Sequence, residues 1–318
     1  MEEEKFQSVA ERGKKKLERD MGDLLLGALY DSKTVDLMVN PDGKVWQERL
    51  GERMKCIGTI RATQAEAIIK TVAAYHGKEV TRTSPYVEGE FPLDGSRFSG
   101  QLPPIVAAAT FDIRKKAVAV FTLEQYVEAG IMTRAQHEVL KRVVREHRNI
   151  LVLGGTGSGK TTLVNAIIHE MVISNPYERV TILEDLNEVQ CAAENFVKYQ
   201  TSLDVDMTKL LKITLRMRPD RILVGEVRGA EAMDLLDSWN TGHPGGAATI
   251  HANDVMGGLT RLSSLVSRNP SAPRFIEPLI GEAVQVVVHI ARTSTGRQVQ
   301  EILEVSGYAD GKYITKIL

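Results

Sequence analysis

Apolar and polar positions change their rhythm once along this chain. Near the start, Val9, Leu17, Met21, Leu24 and Leu25 recur on one side of a helical period, which predicts an amphipathic helix over about residues 8–30. Short alternating runs follow at 35–39 and 44–49, around the turn Asn40-Pro41-Asp42-Gly43. Thr63 with Glu66 three residues on reads as a capping box for a helix to about Tyr75, with Gly77 at its C-terminal end. Asp94-Gly95 marks a turn, and residues 110–114 a further strand. This mixture predicts a smaller α+β N-terminal domain over residues 1–115. Residues 116–132 carry few periodic signals and read as a linker.

A second capping box, Thr133 with Gln136, opens a helix to about Glu146. From Asn149 onward, apolar runs at 150–153, 180–183, 221–227 and 247–251 alternate with helical patterns. That order predicts βαβ units, so residues 133–318 are expected to form an α/β domain with a mainly parallel sheet. Hairpins close the chain around Thr295-Gly296 and Asp310-Gly311.

Composition narrows the function. The 318 residues suffice for two domains with real cores, and 43% hydrophobic with 25% charged residues is ordinary globular composition. Forty basic residues stand against 41 acidic ones, for a net charge of −1, so no basic excess marks a nucleic-acid binder. Cys56 and Cys191 are too few for a disulfide framework or a four-cysteine zinc module, and a reduced compartment follows. The uncharged run at 98–111 is broken by Pro103 and Pro104 and is too short to span a bilayer. The first twenty residues are dense in charge and lack the apolar core of a secretory signal. A soluble or surface-attached protein is expected. Its first helix packs on its own domain or a neighbouring subunit, or lies in a lipid interface.

The strongest chemistry is at Gly154, Gly155, Thr156, Gly157, Ser158, Gly159, Lys160 and Thr161, a full match to G-x-x-x-x-G-K-[ST]. It follows the apolar run 150–153 and precedes a helix from Thr162 to about Met171, the context this motif requires. Glycines let backbone N–H groups curl around phosphate oxygens at the positive end of a helix. Lys160 is expected on the β- and γ-phosphates and the Thr161 hydroxyl on Mg²⁺, with Thr162 completing the nucleotide-binding set.

Carboxylates come next. One at the end of the strand beside the P-loop can polarise the attacking water, and Glu184, Asp185 and Glu188 follow strand 180–183. The run Arg221-Ile222-Leu223-Val224-Gly225-Glu226 resembles a Walker B strand with Gly225 where an Asp is usual, so Glu226 is expected to act on Mg²⁺ through water. His243 and His251 flank a Gly-rich strand without the ligand spacing of a zinc site, and an imidazole at a strand end can read the γ-phosphate. Arg216, Arg218, Arg221 and Arg228 form a basic run that reads either as an arginine finger or as a charge cluster. By spacing alone, Arg97 and Arg114 are surface charge.

In order, a Walker A box (154–161), an Asp box (182–188), an atypical Walker B box (222–226) and a His box (242–251) resemble the secretion ATPase family of type IV secretion, type II secretion and type IV pili. Leu215-Arg216-Met217-Arg218-Pro219-Asp220-Arg221, Val224-Gly225-Glu226-Val227-Arg228-Gly229-Ala230-Glu231-Ala232 and Thr249-Ile250-His251-Ala252-Asn253 are similar to the type IV secretion branch. Gln190-Cys191-Ala192-Ala193-Glu194-Asn195 resembles its conjugal-transfer members. The resemblance implies a RecA-like P-loop ATPase domain behind the N-terminal domain, with ATP and Mg²⁺ bound in a homo-hexameric cytoplasmic ring, peripheral at a bacterial inner membrane. Channel and coupling proteins of that membrane are the implied partners, with no direct nucleic-acid binding. It also implies that Glu184 activates water, Glu226 supports Mg²⁺ and water, His251 senses the γ-phosphate, and Arg97 and Arg114 neutralise phosphate charge. The expected function is ATP hydrolysis powering conjugative secretion or pilus biogenesis. The alternatives are a pilus retraction or assembly motor, a nucleotide-gated scaffold, and a nucleic-acid motor.

Overall fold

The alternation at 35–49 becomes the first hairpin of an antiparallel sheet, because one side of each strand can be buried only if the period is two. A computed structural model describes residues 2–49, 52–115, 121–202, 204–293 and 296–318, with side chains from Glu11 onward. The chain divides into two compact units, residues 1–116 and 117–318.

The first unit runs α1 (Glu2–Tyr30), β1 (Thr34–Val39), β2 (Lys44–Arg49), β3 (Lys55–Thr59), α2 (Ala62–Tyr75), β4 (Tyr86–Glu90), β5 (Arg97–Gln101) and β6 (Thr110–Arg114). Its sheet has the order β3-β2-β1-β6-β5-β4, antiparallel throughout. Leu37, Val39, Val45, Phe98, Phe111 and Ile113 share one core with Leu17, Met21 and Leu25 of α1 and Ile68, Ile69 and Val72 of α2. The apolar stripe of the first helix is therefore used inside its own unit, Leu24 remains 36% exposed, and Val9 lies outside the described side chains. Charges line the other sheet face, where register places Arg97 opposite Arg114 and Arg114 opposite Asp36.

One expected cap is corrected. Helix α2 begins at Ala62 with Arg61 in the N-cap place and no side-chain cap. Thr63 already lies inside the first turn, so its hydroxyl is past the position that can accept from the second or third helical N–H.

The second unit runs α3 (Leu123–Glu128), α4 (Arg134–Arg145), β7 (Ile150–Gly154), α5 (Lys160–Ser174), β8 (Val180–Glu184), β9 (Phe196–Gln200), α6 (Met207–Thr214), β10 (Arg221–Val224), α7 (Glu231–Asn240), β11 (Ala247–His251), α8 (Val255–Val266), α9 (Ile276–Ala283), β12 (Val286–Thr293), β13 (Gly296–Ala309) and β14 (Lys312–Ile317). Thr133 and Gln136 do form a capping box, and so do Thr122 and Gln125 at α3. Residues 123–132, read as linker from the sequence, instead give Leu123, Tyr126 and Met132 to the core of this unit.

Its sheet order is β14-β13-β12-β7-β11-β10-β8-β9, parallel from β12 to β9 and antiparallel in the two pairings from β14 to β12. Ile150 and Val152 enter the core shared with α3, α4 and α5, while Leu151 and Leu153 enter the one shared with α6 to α9. Both faces of β7 are thus covered, which is why the run 150–153 has no polar residue. The topology also corrects an expectation: β7 lies between β11 and β12, and strand 180–184 is separated from it by β10 and β11. Crossover helices insert these later strands between the two.

Candidate active site

Parallel strands that end on one edge deliver their terminal residues to one crevice. Register aligns Gly154 with His251 at the ends of β7 and β11, and Val224 with Leu183 near the ends of β10 and β8. The P-loop leaves β7 at Gly154 and enters α5 through Gly159, whose φ of 96° is the left-handed backbone that glycine tolerates. Lys160, 8% exposed, opens that helix, and its Nζ donates to the carbonyls of Gly154 and Gly155, both at 3.0 Å.

From this ammonium a line of charge crosses the strand ends. Nζ of Lys160 lies 3.3 Å from Nδ1 of His251. Nε2 of His251 lies 2.8 Å from Oε1 of Glu226. The other Glu226 oxygen accepts from Nη2 of Arg228 at 2.6 Å, and Nη1 of Arg228 reaches Asp185 at 3.5 Å. Walker A, His box, Walker B and Asp box are therefore joined through side chains. An imidazole accepting from Lys160 at Nδ1 and donating from Nε2 satisfies both contacts while neutral.

The two glutamates are electrostatic opposites. Burial pushes the Glu184 carboxyl up, past the opposing effect of Glu188 and Val189 N–H groups, which donate to Oε2 at 2.8 and 2.9 Å, and of Lys198. Its Oε1 has no hydrogen-bond partner and lies 3.7 Å from Nζ of Lys198. Burial works on Glu226 as well, but the Arg228 hydrogen bond and the charges of Arg228, His251 and Lys160 outweigh it and hold this carboxyl below its usual range. Environments that push two carboxyls apart separate a proton acceptor from a permanent anion.

A side chain in place of Gly225, where an aspartate is usual in a Walker B strand, would be crowded. A Cβ on Gly225 would stand 3.1 Å from Cβ of Glu184, and the Gly225 N–H donates to Leu183 at 2.8 Å. Close pairing of β10 with β8 makes any side chain at this position tighter than ordinary van der Waals contact, so Glu184 must shift by a few tenths of an ångström to admit one.

Residues 36–311 match the type II/IV secretion system protein family. The chain belongs to that family. It is 48% identical over 299 residues to the probable conjugal transfer protein TrbB of Sinorhizobium fredii, covering 94% of this chain and 91% of the relative. It is 45% identical to the conjugal transfer protein TrbB of Rhizobium radiobacter, covering 95% and 93%. Among solved structures, the ATPase DotB of Legionella pneumophila aligns with a TM-score of 0.62 at 18% identity, over 90% of this chain and 80% of that one, a likeness of fold.

As a secretion ATPase with a P-loop, the chain places its other candidates unevenly. His243 precedes β11, at the opposite edge of the sheet from the P-loop. Arg221 begins β10 at that same far edge and is fully buried, bonded to Glu178 at 2.5 Å and to the carbonyl of Gly245 at 2.9 Å, so it is a core ion pair and not a finger for its own P-loop. Arg228 alone of the basic run reaches the carboxylates described above. In the first unit, Arg114 donates from Nε to Asp36 at 2.9 Å beside Arg97 on the neighbouring strand. Two residues escaped the sequence reading: Lys198 on β9, facing Glu184, and Arg297 on β13, whose Nε donates to the Gly157 carbonyl at 3.2 Å. No motif marks either, and Arg297 lies 140 residues from its partner.

Among the described residues, no helix is long and apolar enough to cross a membrane, and no group of three or more His, Cys, Asp or Glu is arranged to hold a metal ion.

Proposed function

We propose that this secretion ATPase hydrolyses ATP to power conjugative type IV secretion, as a cytoplasmic homo-hexameric ring at the bacterial inner membrane. The observation that carries the chemistry is the continuous line Lys160–His251–Glu226–Arg228, which ties the phosphate loop to a permanent carboxylate. Conjugal-transfer relatives at 48% and 45% identity over nearly the whole chain support the process it serves.

In this reading the N–H groups of residues 155–161 hold the β- and γ-phosphates, with Lys160 as the point charge on them and Thr162 lining the loop. The hydroxyl of Thr161 would ligate Mg²⁺ directly, and the ionised carboxylate of Glu226 would hold it through a water. Bound with the nucleotide, Mg²⁺ neutralises phosphate charge. Glu184, whose carboxyl burial pushes up and whose Oε1 accepts no hydrogen bond, takes the proton of the attacking water. His251 reports the γ-phosphate to Glu226. Arg97 and Arg114 supply positive charge from the first unit, whose span we assign to residues 1–115. Channel and coupling proteins of the membrane are the partners.

The test combines two measurements. ATP turnover with Mg²⁺ should vanish in Lys160→Ala, and the mass of the wild-type protein with ATP and Mg²⁺ should be that of six subunits. Retained turnover in that variant, or full activity as a monomer, overturns the reading. Transfer supported by a binding-competent variant that cannot hydrolyse ATP would instead make the chain a nucleotide-gated scaffold.

A further inference from the structure

The P-loop strand has two neighbours, and only one carries the recognised chemistry. On one side, β11 brings His251 to Lys160. On the other, β12 and β13 form a hairpin whose register sets Arg292 opposite Arg297. This hairpin closes on the P-loop at both ends. A Cβ on Gly154 would collide with the Ile290 carbonyl, and one on Gly159 would stand 2.9 Å from Cδ of Arg297. Nε of Arg297 donates to the Gly157 carbonyl at 3.2 Å. The hairpin is itself held, because the Val299 N–H donates to Ile131 at 2.8 Å and Gln136 donates to the Val299 carbonyl at 3.2 Å.

We propose that Arg297 is a positioning residue for nucleotide binding, one that sets the P-loop backbone without touching the reacting atoms. The peptide joining Gly157 to Ser158 is planar and trans, so its C=O and N–H point in opposite directions. Fixing the carbonyl outward on Arg297 turns the Ser158 N–H into the loop. There it meets the Gly155 carbonyl at a long 3.4 Å, a bond easily exchanged for a phosphate oxygen. Gly157 and Gly159 have φ of 70° and 96°, so the loop between them has glycine freedom at both hinges and needs an external tie to hold one shape. The Arg297 stem against Gly159 and its Nε on Gly157 supply that tie. An ordered anion-binding loop loses less conformational entropy when ligand arrives, and affinity rises accordingly.

The inference rests on the P-loop being the nucleotide site, and the experiment separates the two. ADP and ATP dissociation constants and steady-state kinetics with Mg²⁺ are measured for the full chain as wild type, Arg297→Ala, Arg297→Lys and Lys160→Ala. Arg297→Ala should weaken ADP and ATP equally, by about tenfold, and raise KM by the same factor while kcat stays within about twofold. Arg297→Lys, which keeps a stem and a donor, should recover most of the affinity and decides the matter if the alanine variant folds poorly. Affinities within twofold of wild type in Arg297→Ala overturn the proposal. So does a loss confined to ATP, which would make Arg297 a γ-phosphate contact, or a fall in kcat at constant KM. Normal nucleotide binding by Lys160→Ala would overturn the site itself.

Discussion

The imidazole of His251 bridges Lys160 and Glu226, with 3.3 Å from Nδ1 to the ammonium and 2.8 Å from Nε2 to the carboxylate. A histidine in that place couples whatever the lysine binds to the anion that faces it. His251→Ala should therefore lower turnover by 10²-fold or so while ADP affinity stays within about twofold. Calorimetry with ADP and a stopped-time ATPase assay check this. Equal weakening of both nucleotides would mean a structural imidazole.

Glu184 and Glu226 should be separable. Glu184→Gln removes a proton acceptor and keeps its shape, so ATP binds normally and turnover drops by about 10²–10⁴-fold. Glu226→Gln removes the charge and leaves one acceptor oxygen where His251 and Arg228 both donate, so the Mg²⁺ shell loosens and the defect should move with Mg²⁺ concentration. The geometry sharpens the contest: Glu184 ends the third strand from β7 and Glu226 follows the second, roughly 14 and 10 Å sideways at ordinary strand spacing. Identical Mg²⁺ curves, with only Glu226→Gln slow, would move the base to Glu226.

Placing the usual Walker B aspartate at Gly225 should harm this enzyme. Gly225→Asp drives a side chain to within 3.1 Å of Glu184 and sets a second carboxylate beside a buried one. Loss of thermal stability and at least a tenfold fall in turnover are expected. A gain of activity would show that the strand pair can open.

Arg114 carries stability as well as charge. Its Nε serves Asp36, whose side chain is only 8% exposed, so Arg114→Ala leaves a buried acceptor short of a donor. A cost of about 1–3 kcal/mol in denaturant unfolding is expected together with reduced turnover. Unchanged stability with lost activity would mean that Asp36 finds another donor.

Asp112, on the same sheet face, gives a pH signature. Burial and the nearby Asp36 charge push its carboxyl up to about 6 against the pull of Arg114, from an ordinary 3.8. The folded state thus holds its proton more tightly than the unfolded chain. Stability is highest at low pH with respect to this group, falls as pH rises between those two values, and is fully reduced above about 6. Asp112→Asn should flatten that part of the curve, as read by melting temperatures at pH 5 and 7.5. An unchanged slope would assign it to another group.

Local sequence already determined the phosphate chemistry, because a P-loop needs glycines, Lys160 and Thr161 at fixed spacing within a dozen residues. It determined the strands as well, since Ile150–Leu153 has no polar residue to turn toward water, and the α4 cap, since Thr133 and Gln136 interact at short range. Long-range order was not written locally. Crossovers interpose β10 and β11 between Glu184 and the P-loop, and no spacing along the chain states that order. The same packing buried Arg221 away from the site, brought Arg228 to it, and set Gly225 against Glu184 with little room for a side chain. Arg297 and Lys198 are plain surface cations in the sequence. They acquire a partner only when the sheet closes, because hydrogen bonds over such separations depend on strand neighbours rather than on residue type.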